Sequence, residues 1–265
     1  MISPLAHIHK DAQIGNNVTI DPFVVIEEGV VIGENTHVMP HAVIMKNSVI
    51  GNSCRIFPGA VIGAIPQDLK FDGEETFVQI GDNTTIREFV TVNRGTKDKW
   101  KTVVGHNCLL MAYSHIAHDC IVGNYAVIAN TVQLAGHVEV GDFAVIGGMA
   151  AAIQFARIGA HSYIAGGTEI IKDIPPYIKA GRHPISYVGV NSVGLQRRGF
   201  SSEKINSILD IYRNIYTRGL NITQATSFIE NELPETPERN EILKFIKESQ
   251  RGILKAAAKG NTDED

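Results

Sequence analysis

Residues 12–44 have the sequence AQIGNNVTIDPFVVIEEGVVIGENTHVMPHAVI, with isoleucine or valine at every sixth position from Ile14 to Ile44. Outward from this stretch, the same phase runs from Ile2 to Ile62 without a miss and recurs as far as Ile170. The exceptions among the in-phase positions from 2 to 170 are Asp68, Glu74, Asp98 and Ala152. An α-helix has a period of 3.6 and a plain strand a period of 2, so a period of six indicates a repeat architecture.

A small or β-branched residue stands two positions before each aliphatic one, as at Ala12, Val18 and Val24. Both positions therefore face one interior, and three such hexads form an 18-residue coil of three short strands. The pattern predicts a mainly β fold, a parallel β-helix of triangular section whose coils stack ~4.8 Å apart. Its left-handed sense is implied by the resemblance to hexapeptide-repeat proteins.

The phase fails near residues 64–79 and 94–103, which we interpret as loops projecting from a β-helix that spans residues 1–187. Projecting loops often carry function. Residues 188–258 are predicted to form a C-terminal α-helical domain, and 259–265 a disordered tail. Helical spacing and end signals predict helices from the N-cap Ser201 to Gly219, from Thr223 to Asn231, and from Pro237 to about Arg251.

Composition narrows the function classes. The chain has 24 Lys+Arg against 28 Asp+Glu and a net charge of −4, which argues against binding nucleic acid through its phosphates. We find no apolar run long enough for a membrane span and no secretory signal, and expect a cytoplasmic protein. The three cysteines occupy small inward positions of the repeat, so we expect them to be buried structural residues.

The repeat also locates a group of chemically active side chains. His115 and His137 lie next to inward residues and are expected to point outward. Because each coil has 18 residues, positions 18 apart lie above one another in successive coils. His118 and Asp119 therefore lie directly beneath Gly136 and His137, and Gln154 continues the His118 column in the coil after that. An imidazole base, a carboxylate that fixes its tautomer, and a bare backbone N–H could together serve acyl transfer to a hydroxyl.

Two other interpretations remain open at this point. His115, His118 and His137 could together bind zinc, as in β-helices of the gamma-class carbonic anhydrase type, although the spacing of the first two differs from that class. The β-helix could also be purely structural.

Several segments carry a more specific resemblance: QDLK at 67–70, HIAHDC at 115–120, LAGHV at 134–138, IGGM at 146–149, GVN at 189–191 and GLQRRGF at 194–200. Together they resemble the bacterial UDP-N-acetylglucosamine O-acyltransferases of lipid A synthesis. The resemblance implies a homotrimer that transfers an (R)-3-hydroxyacyl group from acyl carrier protein to the 3-hydroxyl of UDP-N-acetylglucosamine. No metal and no resident cofactor are expected, because phosphopantetheine arrives on the carrier protein.

The resemblance also implies residue roles. His118 would be the general base, oriented by Asp119, with the Gly136 amide as the oxyanion donor. Substrates would contact Gln67, Asp68, Lys70, His115, His137, Gln154, Asn191, Arg197 and Arg198, and the acyl chain would lie near Tyr163 and Gly166.

Two positions depart from the family pattern, because Ile153 and Pro184 stand where members often have histidine. The pathway's N-acyltransferase is disfavoured because the hexads begin at Ile2, which leaves no room for its extra N-terminal domain. Transfer to a 3-amino sugar nucleotide stays open, because one acceptor atom leaves no mark in the sequence.

Overall fold

The computed structural model describes residues 1–256 and confirms a left-handed parallel β-helix followed by helices. The expected disordered tail at 259–265 and the end of the expected helical domain, 257–258, lie outside the described residues.

Within residues 1–256, twenty-seven strands, most of them two residues long, form the β-helix. The first nine are β1 (His7–Ile8), β2 (Gln13–Ile14), β3 (Thr19–Ile20), β4 (Val25–Ile26), β5 (Val31–Ile32), β6 (His37–Val38), β7 (Val43–Ile44), β8 (Ser48–Ile50) and β9 (Arg55–Ile56). The next nine are β10 (Val61–Ala64), β11 (Phe77–Ile80), β12 (Thr85–Ile86), β13 (Thr91–Asn93), β14 (Lys101–Val104), β15 (Leu109–Leu110), β16 (His115–Ile116), β17 (Ile121–Val122) and β18 (Val127–Ile128). The last nine are β19 (Gln133–Leu134), β20 (Glu139–Val140), β21 (Val145–Ile146), β22 (Ala151–Ala152), β23 (Arg157–Ile158), β24 (Tyr163–Ile164), β25 (Glu169–Ile170), β26 (Ile178–Gly181) and β27 (Ser186–Val190).

Each strand up to β22 pairs in parallel with the third strand after it, which builds the three faces of the prism. One face runs from β1 to β25, the second from β2 to β23, and the third from β3 through β24 to the antiparallel hairpin β26–β27. The hexad aliphatics and the small residues before them fill the interior; Ala42 and Ile44, for example, are fully buried. Cys54, Cys108 and Cys120 are buried there as well, as predicted, and burial raises the pKa of Cys120 to about 12.

Two insertions interrupt the repeat. The first insertion is residues 65–76, between β10 and β11, and the second insertion is residues 94–100, between β13 and β14. Both are shorter than the expected loops at 64–79 and 94–103, because Phe77–Ile80 and Lys101–Val104 already pair with the neighbouring coils. Val61 pairs with Thr91 and Thr91 pairs with His115, so each coil is lengthened by whole hexads and the phase survives.

The helical region begins at residue 192 instead of 188, because β27 extends the prism to Val190. Its helices are α1 (Ser192–Arg197), α2 (Ser202–Tyr216), α3 (Ile222–Glu232) and α4 (Pro237–Glu248). Ser201 is the N-cap of α2 and Pro237 begins α4, as predicted, but α4 ends about three residues earlier than expected and the short α1 was not predicted. After α4 the chain returns to the prism, where Ile253 bridges to Asp173.

None of the helices within residues 1–256 is both long enough and apolar enough to cross a membrane.

Candidate active site

The candidate base, His118, lies at a corner of the prism immediately after β16. Its Nδ1 is 2.9 Å from Oδ2 of Asp119, whose backbone adopts a left-handed φ of 60°. His118 is 5% exposed and Asp119 is fully buried. The sequence arithmetic correctly pointed these side chains away from the prism interior, but it did not anticipate that the chain itself would cover them. The second insertion provides that cover.

The second insertion holds the Asp119 carboxylate with three donors. The Thr96 and Lys99 amides donate to Oδ1 over 2.9 and 3.2 Å, and the Thr96 hydroxyl donates to Oδ2 over 2.6 Å. The Asp119 N–H in turn donates to the Thr102 hydroxyl over 2.9 Å. Burial raises the pKa of Asp119, but the hydrogen bonds from His118 and Thr96 outweigh burial and hold the pKa below its ordinary value.

An ionised carboxylate only accepts hydrogen bonds, so Asp119 assigns the proton to Nδ1 of His118. The lone pair of the imidazole is then on Nε2, the nitrogen that a general base needs. This fixed tautomer follows from the local contacts and requires no second chain.

The next coil closes against the imidazole at Gly136. The amide of His137 donates to the carbonyl of His118 over 3.0 Å, in the stacking register that the 18-residue arithmetic predicted. A Cβ on Gly136 would lie 2.6 Å from Nε2 of His118, so only glycine fits there. The Gly136 N–H donates to no acceptor within residues 1–256 and is available to a ligand.

His137 borders the same site. Its ring stacks on Phe155 at 4.4 Å and meets His118 edge-on at 5.1 Å. Its Nδ1 is 3.2 Å from an Asp98 carboxylate oxygen, close enough for an ion pair but without hydrogen-bond geometry. Burial lowers the pKa of His137, so the ring is held towards its neutral form.

His115 is half-buried on β16, with its Nδ1 2.7 Å from the Thr91 hydroxyl. Burial, reinforced by His118, lowers its pKa. The alternative zinc set of His115, His118 and His137 does not form a compact group: within residues 1–256, the ligand atoms that lie within 4.8 Å of one another belong to His118, Asp119 and His137. Four hydrogen bonds already occupy the oxygens of Asp119, which disfavours metal coordination there.

Comparison with known proteins places this chain in a family. A family profile described as UDP N-acetylglucosamine O-acyltransferase, domain 2, matches residues 173–254, and a bacterial transferase hexapeptide profile matches residues 29–64 and 101–136. An acyl-[acyl-carrier-protein]–UDP-N-acetylglucosamine O-acyltransferase of Sulfurihydrogenibium sp. is 49% identical over 97% of this chain and 96% of its own length. The chain belongs to the UDP-N-acetylglucosamine O-acyltransferase family.

Solved structures agree with this assignment. The crystal structure of a UDP-N-acetylglucosamine acyltransferase from Bacteroides fragilis 9343 superposes with a TM-score of 0.95 at 52% identity, covering 96% of this chain and all of that one. The corresponding enzyme from Francisella novicida gives a TM-score of 0.94 at 40% identity, covering 96% of this chain and 94% of that one.

The other residues implied by the acyltransferase resemblance lie in three places. Gln67, Asp68 and Lys70 lie on the first insertion, where Asp68 accepts a hydrogen bond from the Lys70 amide over 3.0 Å. The side chains of Gln67 and Lys70 are exposed and form no hydrogen bond or ion pair within residues 1–256. Within residues 1–256, no hydrogen bond or ion pair joins any of these three residues to His118.

A second set lies beside α1. Asn191 is the N-cap of α1, and its side-chain amide also donates to the His161 carbonyl over 2.9 Å, so both of its polar atoms are bonded within the chain. Arg198 donates to the Phe143 carbonyl over 2.9 Å, whereas Arg197 is exposed. Arg197 is thus the freer of the two guanidinium groups for a phosphate.

The remaining residues lie on later coils of the prism. The exposed Gln154 continues the column, and Arg251 donates to its carbonyl over 2.7 Å. Tyr163 is exposed on β24. A Cβ on Gly166 would approach the Gly148 carbonyl to 2.9 Å, so stacking alone already requires a glycine there. Ile153 is 38% exposed and adds an apolar side chain to this surface.

Sequence reasoning missed the contribution of Thr96, Lys99 and Asp98, all in the second insertion. The available signal was the hexad break at Asp98, one coil before the histidine segment. A break in the hexad repeat shows that a loop leaves the prism. The direction that the loop takes depends on its tertiary contacts, which do not follow the repeat.

Proposed function

We propose that this chain transfers an (R)-3-hydroxyacyl group from acyl carrier protein to the 3-hydroxyl of UDP-N-acetylglucosamine, the first step of lipid A biosynthesis, with His118 as general base. The observation that carries the proposal is the His118–Asp119 pair, whose geometry leaves Nε2 as the free, basic nitrogen. The family membership supplies the donor and acceptor classes.

In the proposed reaction, the sugar 3-hydroxyl gives its proton to Nε2 of His118 as its oxygen bonds to the thioester carbon. The carbonyl oxygen gains negative charge and accepts a hydrogen bond from the Gly136 N–H. Collapse breaks the carbon–sulfur bond, and the imidazolium returns the proton to the phosphopantetheine thiolate. Asp119 stays ionised throughout and stabilises the imidazolium.

We also propose that the enzyme works as a homotrimer with its sites between neighbouring prisms. The support comes from Gln67 and Lys70, whose exposed side chains form no hydrogen bond or ion pair within residues 1–256 and could serve the base of a neighbour. Cytoplasmic location, the absence of a resident cofactor and metal, and the substrate roles of Asn191, Arg197, Arg198, Tyr163 and Gly166 stay predictions.

The test is a mass-spectrometric transfer assay with a series of (R)-3-hydroxyacyl carrier proteins, run with and without a chelator. UDP-N-acetylglucosamine and its 3-amino analogue are offered as alternative acceptors. We expect chelator-resistant product on the hydroxyl acceptor, and a loss of turnover by ~10²-fold or more in His118→Ala because a positioned base is removed. His7→Ala, which changes an exposed histidine of the first coil, is the matched control.

Activity abolished by the chelator would contradict the general-base mechanism and favour a metal site. Product formed only on the 3-amino analogue would mean that the acceptor is an amine and not the 3-hydroxyl. A fully active His118→Ala would remove the base assignment.

A further inference from the structure

The second insertion makes its densest polar contacts with a single side chain, Asp119. Thr96 contributes both its amide and its hydroxyl, and the side chain it binds is fully buried. Thr96 itself is only 8% exposed. A buried hydroxyl that touches the partner of a base, but not the substrate's reacting atoms, is suited to positioning.

The orientation of the Thr96 hydroxyl is also constrained. Its oxygen accepts the Asp98 amide over 3.3 Å, and its proton is directed to Oδ2 of Asp119. Oδ2 is the same oxygen that faces Nδ1 of His118. Two donors therefore share one carboxylate oxygen, one from the loop and one from the base.

We infer that Thr96 is a positioning residue for the base, whose hydroxyl holds Oδ2 of Asp119 against His118 and takes up part of the carboxylate charge. The inference rests on the proposed function of His118. Lys99 cannot substitute for this contact, because its amide binds the other oxygen.

Loss of the hydroxyl has a definite electrostatic consequence. With one donor gone, the charge on Oδ2 acts more strongly on His118, which favours the protonated imidazole and leaves less free base at a given pH. The other ionisable groups around His118 are His115, His137, Asp98 and Lys99, and substituting Thr96 changes none of their charges. The acid limb of the rate profile should therefore move to higher pH.

The experiment compares Thr96→Val, which keeps the branched shape, with Thr96→Ser, which keeps the hydroxyl. We expect Thr96→Val to lower kcat by about tenfold and to move the acid limb of kcat/KM up by roughly half a pH unit or more. The KM for UDP-N-acetylglucosamine should change by less than about twofold, because binding groups are untouched. Thr96→Ser should restore the wild-type profile, and Thr96→Ala should reproduce the shift if Thr96→Val folds poorly.

Thr84→Val is the matched control, since Thr84 is also buried and its hydroxyl also bridges two coils, to Gly105 and Cys108. It should lower the melting temperature without moving the pH profile. An unshifted profile in both Thr96→Val and Thr96→Ala, or the same shift in Thr84→Val, would overturn the inference. His118→Ala separates the two proposals: if it is inactive while the Thr96 variants behave as wild type, only the positioning role fails.

Discussion

The two insertions interrupt successive coils of the same prism, yet they are used in opposite ways. The second insertion folds back and donates three hydrogen bonds to Asp119 of its own chain. The first insertion presents Gln67, Leu69 and Lys70 to solvent. One loop completes a site within its own chain, and the other leaves Gln67 and Lys70 exposed to solvent.

The polar contacts of the first insertion explain this difference. Asp68 accepts the Lys70 amide over 3.0 Å, and Glu74 accepts the Asp72 amide over 2.8 Å, so some of the loop's backbone donors are bonded within the loop. Arg94 of the second insertion lies over the Phe71 ring of the first at 5.5 Å. A loop that is internally bonded and braced can hold exposed side chains in place for another molecule, whereas donors aimed at a buried carboxylate serve their own chain.

The largest expected effect tests how tightly the second insertion confines the base. Gly136→Ala puts a methyl group 2.6 Å from Nε2 of His118, and Asp119 prevents the ring from retreating. We expect kcat to fall by ~10²-fold, comparable with losing the base. Steady-state kinetics and thermal melting measure the two consequences.

The double variant Gly136→Ala/His118→Ala is the control for that clash. It should recover the stability lost in Gly136→Ala, because the imidazole is no longer there to be displaced. A fully active Gly136→Ala would mean that His118 moves freely and is not confined by Gly136 and Asp119.

Mixed oligomers test the opposite use of the first insertion. His118→Ala and Lys70→Ala are co-expressed with distinguishable tags, and oligomers that contain both chains are purified. If each site of the proposed trimer combines a base from one chain with the first insertion of the next, every trimer that contains both chains has one intact site in three, so about a third of the wild-type sites are restored. Measured activity should exceed the mean of the two parent variants by that amount. Activity equal to that mean would show that each chain completes its own site.

The smallest expected effect concerns local unfolding of the second insertion and how it depends on pH. Because the pKa of Asp119 is held below the ordinary value of ~3.9, the carboxylate should keep its contacts above that pH and lose them only as pH falls further. Hydrogen exchange, corrected for intrinsic rates, should show the Thr96 and Lys99 amides at least about tenfold more protected than the Lys70 amide from pH 7 to pH 5. That protection should decline towards pH 3.

Asp119→Asn is the control for the exchange experiment, because it weakens the acceptor without a change of pH. The Thr96 and Lys99 amides should then exchange faster at pH 7. Equal protection of the two insertions in the wild-type chain would remove the distinction between them.

Much of the candidate site could be predicted from the repeat. The 18-residue register placed Gly136 over His118 correctly, because both positions lie in uninterrupted coils. Burial of His118 and Asp119 could not be predicted, because it depends on the second insertion. The hydrogen bonds that Asn191 and Arg198 donate to carbonyl groups of the prism were also not predicted, since they depend on α1 packing against the prism.

By itself the sequence determined the β-helix, its three faces, its buried cysteines and the column that carries the base. It could do so because the inward-facing positions recur at a fixed spacing of six residues, and this spacing can be read directly from the sequence. Only the tertiary structure decided which insertion covers Asp119, which donors fix the tautomer of His118, and which predicted binding residues are hydrogen-bonded within the chain. Those outcomes depend on a few amides and hydroxyls meeting a carboxylate about 20 residues away, and such contacts have no period in the sequence.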